Sequence, residues 1–422
     1  MDDLDESIQF FREAVSLCPE GHTDRVSYLN NLAVSLRFYR FKHQGNPNDL
    51  DEAISLHEEA LCLCLVGHES RDSILDNLGG ALVTRFNTRG AIDDITRAIS
   101  LYREALMLCP PGHPRRDTTL NNLALALKTR YVELDNEDVE EAIDLCQKSL
   151  EALPSLHPDR HYSYFRLREA YLSRFRVHLN PADLSLAIEN FKLASRHPTQ
   201  GFPERIAEAI DWARQAEVYQ HKSDLEAYQT CFELFNSHVM TRSSIIARRE
   251  AASAFDGAQS LPVDAASCAI RRGNLPWAVE LIEQGRGQQW SLASQLKTPV
   301  EDLESANPTL AHNYLELSKC VSNAAQSSAT TTERAAADRA ATEYRRLTRR
   351  WEAAVAEIRN LKDFSRFLLP PAYEDLQAAA RHGPVIIFIA SQYSCGAIIV
   401  PTSGDPHHVP LSSISLVDLN NL

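Results

Sequence analysis

The 422 residues carry 43 Lys and Arg against 57 Asp and Glu, a formal net charge of −14, so a long phosphate backbone is repelled unless cations cluster and nucleic acid is not an expected partner. A composition of 44% hydrophobic and 24% charged residues excludes wholesale disorder and a coat of membrane helices, and only 15 Gly disfavour a Gly-looped or β-rich chain. The 9 Cys read as free thiols of a reducing compartment, the acidic start Met1-Asp2-Asp3-Leu4-Asp5-Glu6 lacks the basic and apolar character of a targeting segment, and the cytoplasm is the expected location.

A repeat dominates the first half. Leu4-Asp5-Glu6-Ser7-Ile8, Leu50-Asp51-Glu52-Ala53-Ile54, Ile95-Thr96-Arg97-Ala98-Ile99, Val139-Glu140-Glu141-Ala142-Ile143 and Leu184-Ser185-Leu186-Ala187-Ile188 follow one another at steps of 46, 45, 44 and 45 residues. Gly21-His22, Gly67-His68 and Gly112-His113, then His157-Pro158 and His197-Pro198, keep the same beat. So do Asn30-Asn31-Leu32-Ala33, Asp76-Asn77-Leu78-Gly79 and Asn121-Asn122-Leu123-Ala124. Within each unit Leu29, Leu32, Ala33 and Leu36 share one helical stripe, and Leu50, Ala53, Ile54, Leu56, His57, Ala60 and Leu61 share another. Asp49, Asp94 and Asp138 or Asp183 stand where N-caps are wanted. The unit therefore reads helix, turn, helix, connector, and stacked hairpins of this kind share one core that a single hairpin cannot build. The chain opens on a second helix, Asp3 to Leu17, which implies a start within such an array.

These residues resemble tetratricopeptide repeats of the long variety, similar to those of the kinesin light chain, over roughly residues 1 to 200. The resemblance implies a mainly α solenoid whose first helices line a concave groove for an extended peptide. It places Asn31, Asn77 and Asn122 on those helices, where an amide offers donor and acceptor to a peptide backbone. Arg85, Arg130 and Arg174 follow at a similar beat and are candidates for acidic side chains of the ligand. The bland alternative is that the asparagines cap or bridge neighbouring hairpins.

Residues 201–365 keep a helical composition without the strict beat, with helices expected at Pro203–Lys222, Asp224–Met240, Ser243–Ala258, Val263–Arg272, Leu275–Leu296, Thr309–Asn323 and Thr331–Leu361. In the last, Tyr344, Leu347, Trp351, Ala354, Val355 and Ile358 form a stripe, and the arginines at 345, 346, 349 and 350 read as its solvated face. Gly285-Arg286-Gly287 lacks dinucleotide-loop spacing and reads as close helix packing. Pro384 to Pro401 has no charged residue over 18 positions, but its β-branched run and central Ser391-Gln392-Tyr393-Ser394 point to two short buried strands rather than a membrane span.

Trp277 to Trp290 and the stretch from Pro370 through Leu411 resemble proteins, fungal and bacterial, in which tetratricopeptide arrays lead into a CHAT domain, a caspase-like cysteine peptidase fold. The resemblance implies that residues 366–422 are the N-terminal fragment of that short α/β domain and that its catalytic His and Cys lie beyond residue 422. His382-Gly383 precedes the first strand and Cys395 sits at a strand turn, so neither is expected to be catalytic. Cys62 and Cys64, ~200° apart around a helix, cannot chelate one ion, and the repeating histidines read as turn residues. No cofactor or metal is expected. The sequence thus points to a noncatalytic interaction scaffold for a protein or peptide, with the recognition half of a longer cysteine peptidase, or a structural spacer, as the alternatives.

Overall fold

The computed structural model describes residues 2–422 apart from 20, 23, 66, 135–137, 241–259, 295–297, 330–333, 369–370 and 421–422. The chain divides into two compact units, Met1–Asn190 and Phe191–Leu422. The expected segments 201–365 and 366–422 both fall in the second.

The first unit is an array of antiparallel helical hairpins. It runs α1 (Asp2–Leu17), α2 (Arg25–Ser35), α3 (Pro47–Leu63), α4 (Arg71–Arg89), α5 (Ile92–Leu108), α6 (Arg116–Leu134), α7 (Asp138–Ala152), α8 (Arg160–His178) and α9 (Pro181–Ser195), whose end belongs to the second unit. The expected stripes are its core: Leu29, Leu32, Leu36, Leu50, Ile54, Ile74, Leu78, Leu82, Ile95, Leu123 and Leu127 are all buried. Each stripe packs on its hairpin partner and on the next hairpin, so the core is continuous through the unit.

The change of step from 46 to 45 residues has a local cause. Ten positions separate Asn30 from Arg40, but nine separate Asp76 from Arg85 and Asn121 from Arg130. The extra residue in the first hairpin is taken up by a π-helical turn, Leu36–Phe41, that continues α2 and keeps Arg40 above Asp49.

Asp49, Asp94 and Asp183 are not the N-caps expected of them. Asn46 caps α3 through its side chain, Ala91 precedes α5, and Asn180 accepts the Ala182 N–H ahead of Asp183. The three aspartates lie buried in the first turn instead, each turned to an arginine near the end of the preceding helix. An ion pair between two helix ends competes with the local cap for the same carboxylate, and at Asp94 and Asp183 the guanidinium is bidentate, the stronger partner.

In the second unit, α10 (Phe202–Val218), α11 (Asp224–Met240), α12 (Leu261–Arg271), α13 (Leu275–Ser294), α14 (Thr298–Ala306), α15 (Pro308–Ala329) and α16 (Arg334–Arg359) precede a short α17 (Tyr373–Gln377). The expected helix Ser243–Ala258 lies outside the described residues, and α14 has no counterpart in the expected set. Tyr344, Leu347, Trp351, Ala354, Val355 and Ile358 are buried against Phe202, Tyr314 and Phe367, while Arg346, Arg349 and Arg350 face solvent. Trp351 donates its indole N–H to Ser318 Oγ at 2.9 Å, so the ring is buried without an orphaned donor. Gly285 is there for close packing: a Cβ would stand 2.1 Å from Pro262 Cγ of α12.

The uncharged stretch forms β1 (Val385–Ala390) and β2 (Cys395–Val400), joined by β3 (His407–Pro410) in an antiparallel sheet of order β1-β2-β3, before α18 (Leu416–Asn420). Only one face of β1 is buried. Ile387 and Ile389 are 3% and 2% exposed, whereas Ile386 and Phe388 are 55% and 72% exposed, because a strand points successive side chains to opposite faces and only one is covered. No described helix is long and apolar enough to cross a membrane.

Candidate protein-interaction surface

Three sets of repeated polar contacts hold the hairpins at a fixed spacing. In the first, an arginine near the end of each first helix grips the first-turn aspartate of the second. Arg85 reaches Asp94 with Nε and Nη2 at 2.8 and 2.7 Å, Arg130 reaches Asp138 at 2.5 and 2.9 Å, Arg174 reaches Asp183 in the same way, and Arg40 approaches Asp49 at 3.6 Å. These bonds hold the Arg85, Arg130 and Arg174 guanidinium groups above their ordinary pKa, against the opposing pull of burial. Arg85 also touches Asp51, and Arg174 touches Glu140, each on the second helix of the preceding hairpin. The three arginines singled out from the sequence therefore spend their donors on the array itself.

In the second set, an arginine opening each first helix caps the helix before it. Arg25, Arg71 and Arg116 donate Nη1 to the Cys18, Cys64 and Cys109 carbonyls at 2.5 Å, Arg160 donates to the Leu153 carbonyl at 2.7 Å, and Arg205 donates Nε to the Ser195 carbonyl at 2.9 Å. Those carbonyls have no partner within their own helix. In the third set, Nδ1 of His22, His68, His113 and His157 accepts the backbone N–H two residues on, at 3.2, 3.1, 3.3 and 3.2 Å. The repeating histidines are turn residues, as their spacing suggested.

The first helices α2, α4, α6 and α8 form the layer on which the asparagines lie. Asn77 donates Nδ2 to Asn30 Oδ1 and Asn122 donates Nδ2 to Asp76 Oδ2, both at 2.9 Å, so an amide bridges each first helix to the one before it. Asn31 is exposed at the start of this row. Asn121 points into the core, donating to Ser149 and Ser163 at 3.0 and 3.1 Å.

The same layer gathers cations that the sequence pattern did not single out. Arg37, in the π-helical turn, donates Nε to Thr84 Oγ1 at 3.1 Å and lies across Gly80, where a Cβ would come within 2.4 Å of its guanidinium. Lys128 stands 3.9 Å from Glu169, and Arg166 lies one first helix further on. Burial is the main influence on all three and lowers the pKa of each, Lys128 further through the charges of Arg166 and Arg176. Asp76 is pushed the other way, upward, by its own burial, which Arg115 and the Asn122 bond oppose.

No family model matches the chain, and no curated protein matches it. Among solved structures, 22 chains match. One is a Podosopora anserina protein assigned as a kinesin light chain with nearly identical TPR-like repeats, 20% identical, with a TM-score of 0.37 over 51% of this chain and 96% of that one. A single-substitution form of the same protein is 20% identical, with a TM-score of 0.36 over 51% of this chain and 95% of that one.

In the second unit, Cys395 opens β2 and directs its thiol to the Ser391 carbonyl at 3.8 Å. It lines a cavity of about 550 Å³ with Ser391, Tyr393 and His408, but among the described residues no hydrogen bond joins it to an imidazole. His382 lies ahead of β1 and receives a contact from Arg381 at 3.1 Å.

Proposed function

We propose that this protein is an interaction scaffold whose first-helix layer binds an extended peptide or protein segment bearing acidic side chains. The observation that carries the reading is the row of partly desolvated cations Arg37, Lys128 and Arg166 on a chain whose net charge is −14. Removing these cations from water is unfavourable, and a ligand carboxylate offsets that loss where a neutral peptide does not. Asn31, Asn77 and Asn122 supply amide groups along the same row for the ligand backbone. Arg85, Arg130 and Arg174, engaged by their own aspartates, contribute by fixing the spacing of the helices that the ligand meets.

Residues 366–422 are read as the opening fragment of a caspase-like domain, supported by the order short helix, strand, strand, and the chain as given is read as noncatalytic. The alternative, the recognition half of a cysteine peptidase, uses the same surface to present a substrate.

Fluorescence anisotropy with labelled ten-residue peptides, half Asp and Glu against a neutral set, tests the reading. We expect the acidic set to bind the full chain, to weaken as salt rises, and to lose at least about tenfold in affinity in Lys128→Gln/Arg166→Gln, since each charged hydrogen bond lost costs ~1.5–3 kcal/mol. Equal affinity for the two peptide sets, or for the variant and the parent, would remove the surface from the account.

A further inference from the structure

We propose that Asp72, Cys109 and His113 form a binding site for one divalent transition metal, with zinc the best match to the donors. One oxygen, one sulfur and one ring nitrogen from these residues all lie within 4.8 Å of one another. The set is assembled by folding: Asp72 sits in the first turn of α4, whereas Cys109 and His113 flank the connector between α5 and α6.

The spacing suits a tetrahedral ion. Bonds of ~2.3 Å to sulfur and ~2.1 Å to oxygen at the tetrahedral angle place those two atoms ~3.6 Å apart. Cys109 Sγ and Asp72 Oδ2 are 3.6 Å apart. Asp72 and Cys109 are buried and His113 is half-buried, which leaves the imidazole side open for entry and for a water as fourth ligand. Thiolate, imidazole and carboxylate together favour zinc over magnesium or calcium, which prefer all-oxygen shells.

The other connectors act as internal controls. Cys64 and His68 repeat the thiol and the imidazole, but the position that corresponds to Asp72, 46 residues earlier, is Val26. Asp117 repeats the carboxylate 45 residues later, but Leu153 replaces the thiol. Of these connectors only the one after α5 combines all three donors, so the shared turn and cap functions do not explain the set.

Binding releases the Cys109 proton to solvent and forms the sulfur–metal bond; the dication is then balanced by one thiolate and one carboxylate. Arg115, 3.3 Å from Asp72 and 4.0 Å from Asp76, keeps Asp76 as its counter-ion. His113 contributes one ring nitrogen, and its Nδ1 contact with the Arg115 N–H, at 3.3 Å, is the longest of the four histidine turn contacts in the first unit.

The test is a cobalt titration of the full chain with the exposed thiols removed (Cys62→Ser, Cys320→Ser). We expect one equivalent of Co²⁺ to bind with a thiolate-to-cobalt charge-transfer band that Zn²⁺ displaces. Cys109→Ser should abolish the band, Asp72→Asn should weaken affinity by about tenfold or more, and Cys64→Ser should leave both unchanged. Circular dichroism of the metal-free variants checks that they fold; if Cys109→Ser does not, the near-isosteric Asp72→Asn decides. Absence of the band in the folded parent, a band that survives Cys109→Ser, or unchanged affinity in Asp72→Asn overturns the proposal.

Discussion

Replacing His57 by Leu should remove an acid sensitivity built into the first hairpin stack. His57 is fully buried on α3, and among the described residues neither ring nitrogen has a hydrogen-bond partner. Burial first, then the charge of Arg37, lowers its pKa from 6.5 to about 3. The unfolded chain takes up a proton as pH falls through 6.5, whereas the folded one does not until about 3, so stability is lost on acidification across that window and the loss levels off below it. Each pH unit within the window costs at most ~1.36 kcal/mol, so the penalty is ~0.2 kcal/mol at pH 7 and ~2 kcal/mol at pH 5. Leu is close in volume and cannot titrate. Urea unfolding followed by circular dichroism at pH 7.5 and 5.0 should show the parent losing ~2 kcal/mol more than His57→Leu over that interval. Parallel losses in the two proteins would mean that the ring reaches water or a partner, and the reasoning fails.

Two further changes probe the array. Arg85→Ala leaves Asp94, 7% exposed, without its two charged bonds and should cost about 2 kcal/mol, below the ~3–5 kcal/mol of a fully buried pair because Arg85 is 24% exposed; a shift in urea midpoint equivalent to under ~0.5 kcal/mol would show that the clamp is dispensable. Leu179 ends α8 in the left-handed region at φ 53°, where Gly90 ends α4 at φ 71°. Leu179→Gly should raise stability by roughly 0.5 kcal/mol, the ~1–2 kcal/mol relief of that conformer less ~0.5–1 kcal/mol of added chain freedom; a lower melting temperature contradicts this.

The hairpin stack was legible in the sequence because each unit solves the same burial problem with the same stripe, so Leu29 and Leu32 reappear as Leu75 and Leu78. The histidine turns were legible for the same reason. The role of Asp94 was not: an aspartate near a helix start looks like a cap, and only the fold shows Arg85 arriving from nine residues upstream. Arg37, Lys128 and Arg166 have no repeating signature, because at their positions no cation recurs from one hairpin to the next: Arg37 and Lys128 share a repeat position that Val83 fills between them, and Arg166 stands where the earlier hairpins carry Asn31, Asn77 and Asn122. Arg37 is further displaced by the π-helical turn, whose only sequence trace is the single extra residue between Asn30 and Arg40. For β1, the β-branched run pointed to a short buried strand, and the alternation of side chains leaves Phe388 exposed.

Site-specific photocrosslinking tests the central claim most directly. A photoreactive side chain placed at Asn77 or Asn122 on the first helices, or at the exposed Arg97 on the second helix α5, is irradiated with a bound acidic peptide. The account predicts capture from the first two positions, abolished by excess unlabelled peptide, and none from the third. Capture from Arg97 with none from Asn77 and Asn122 would place the working surface on the opposite side of the hairpins and contradict it.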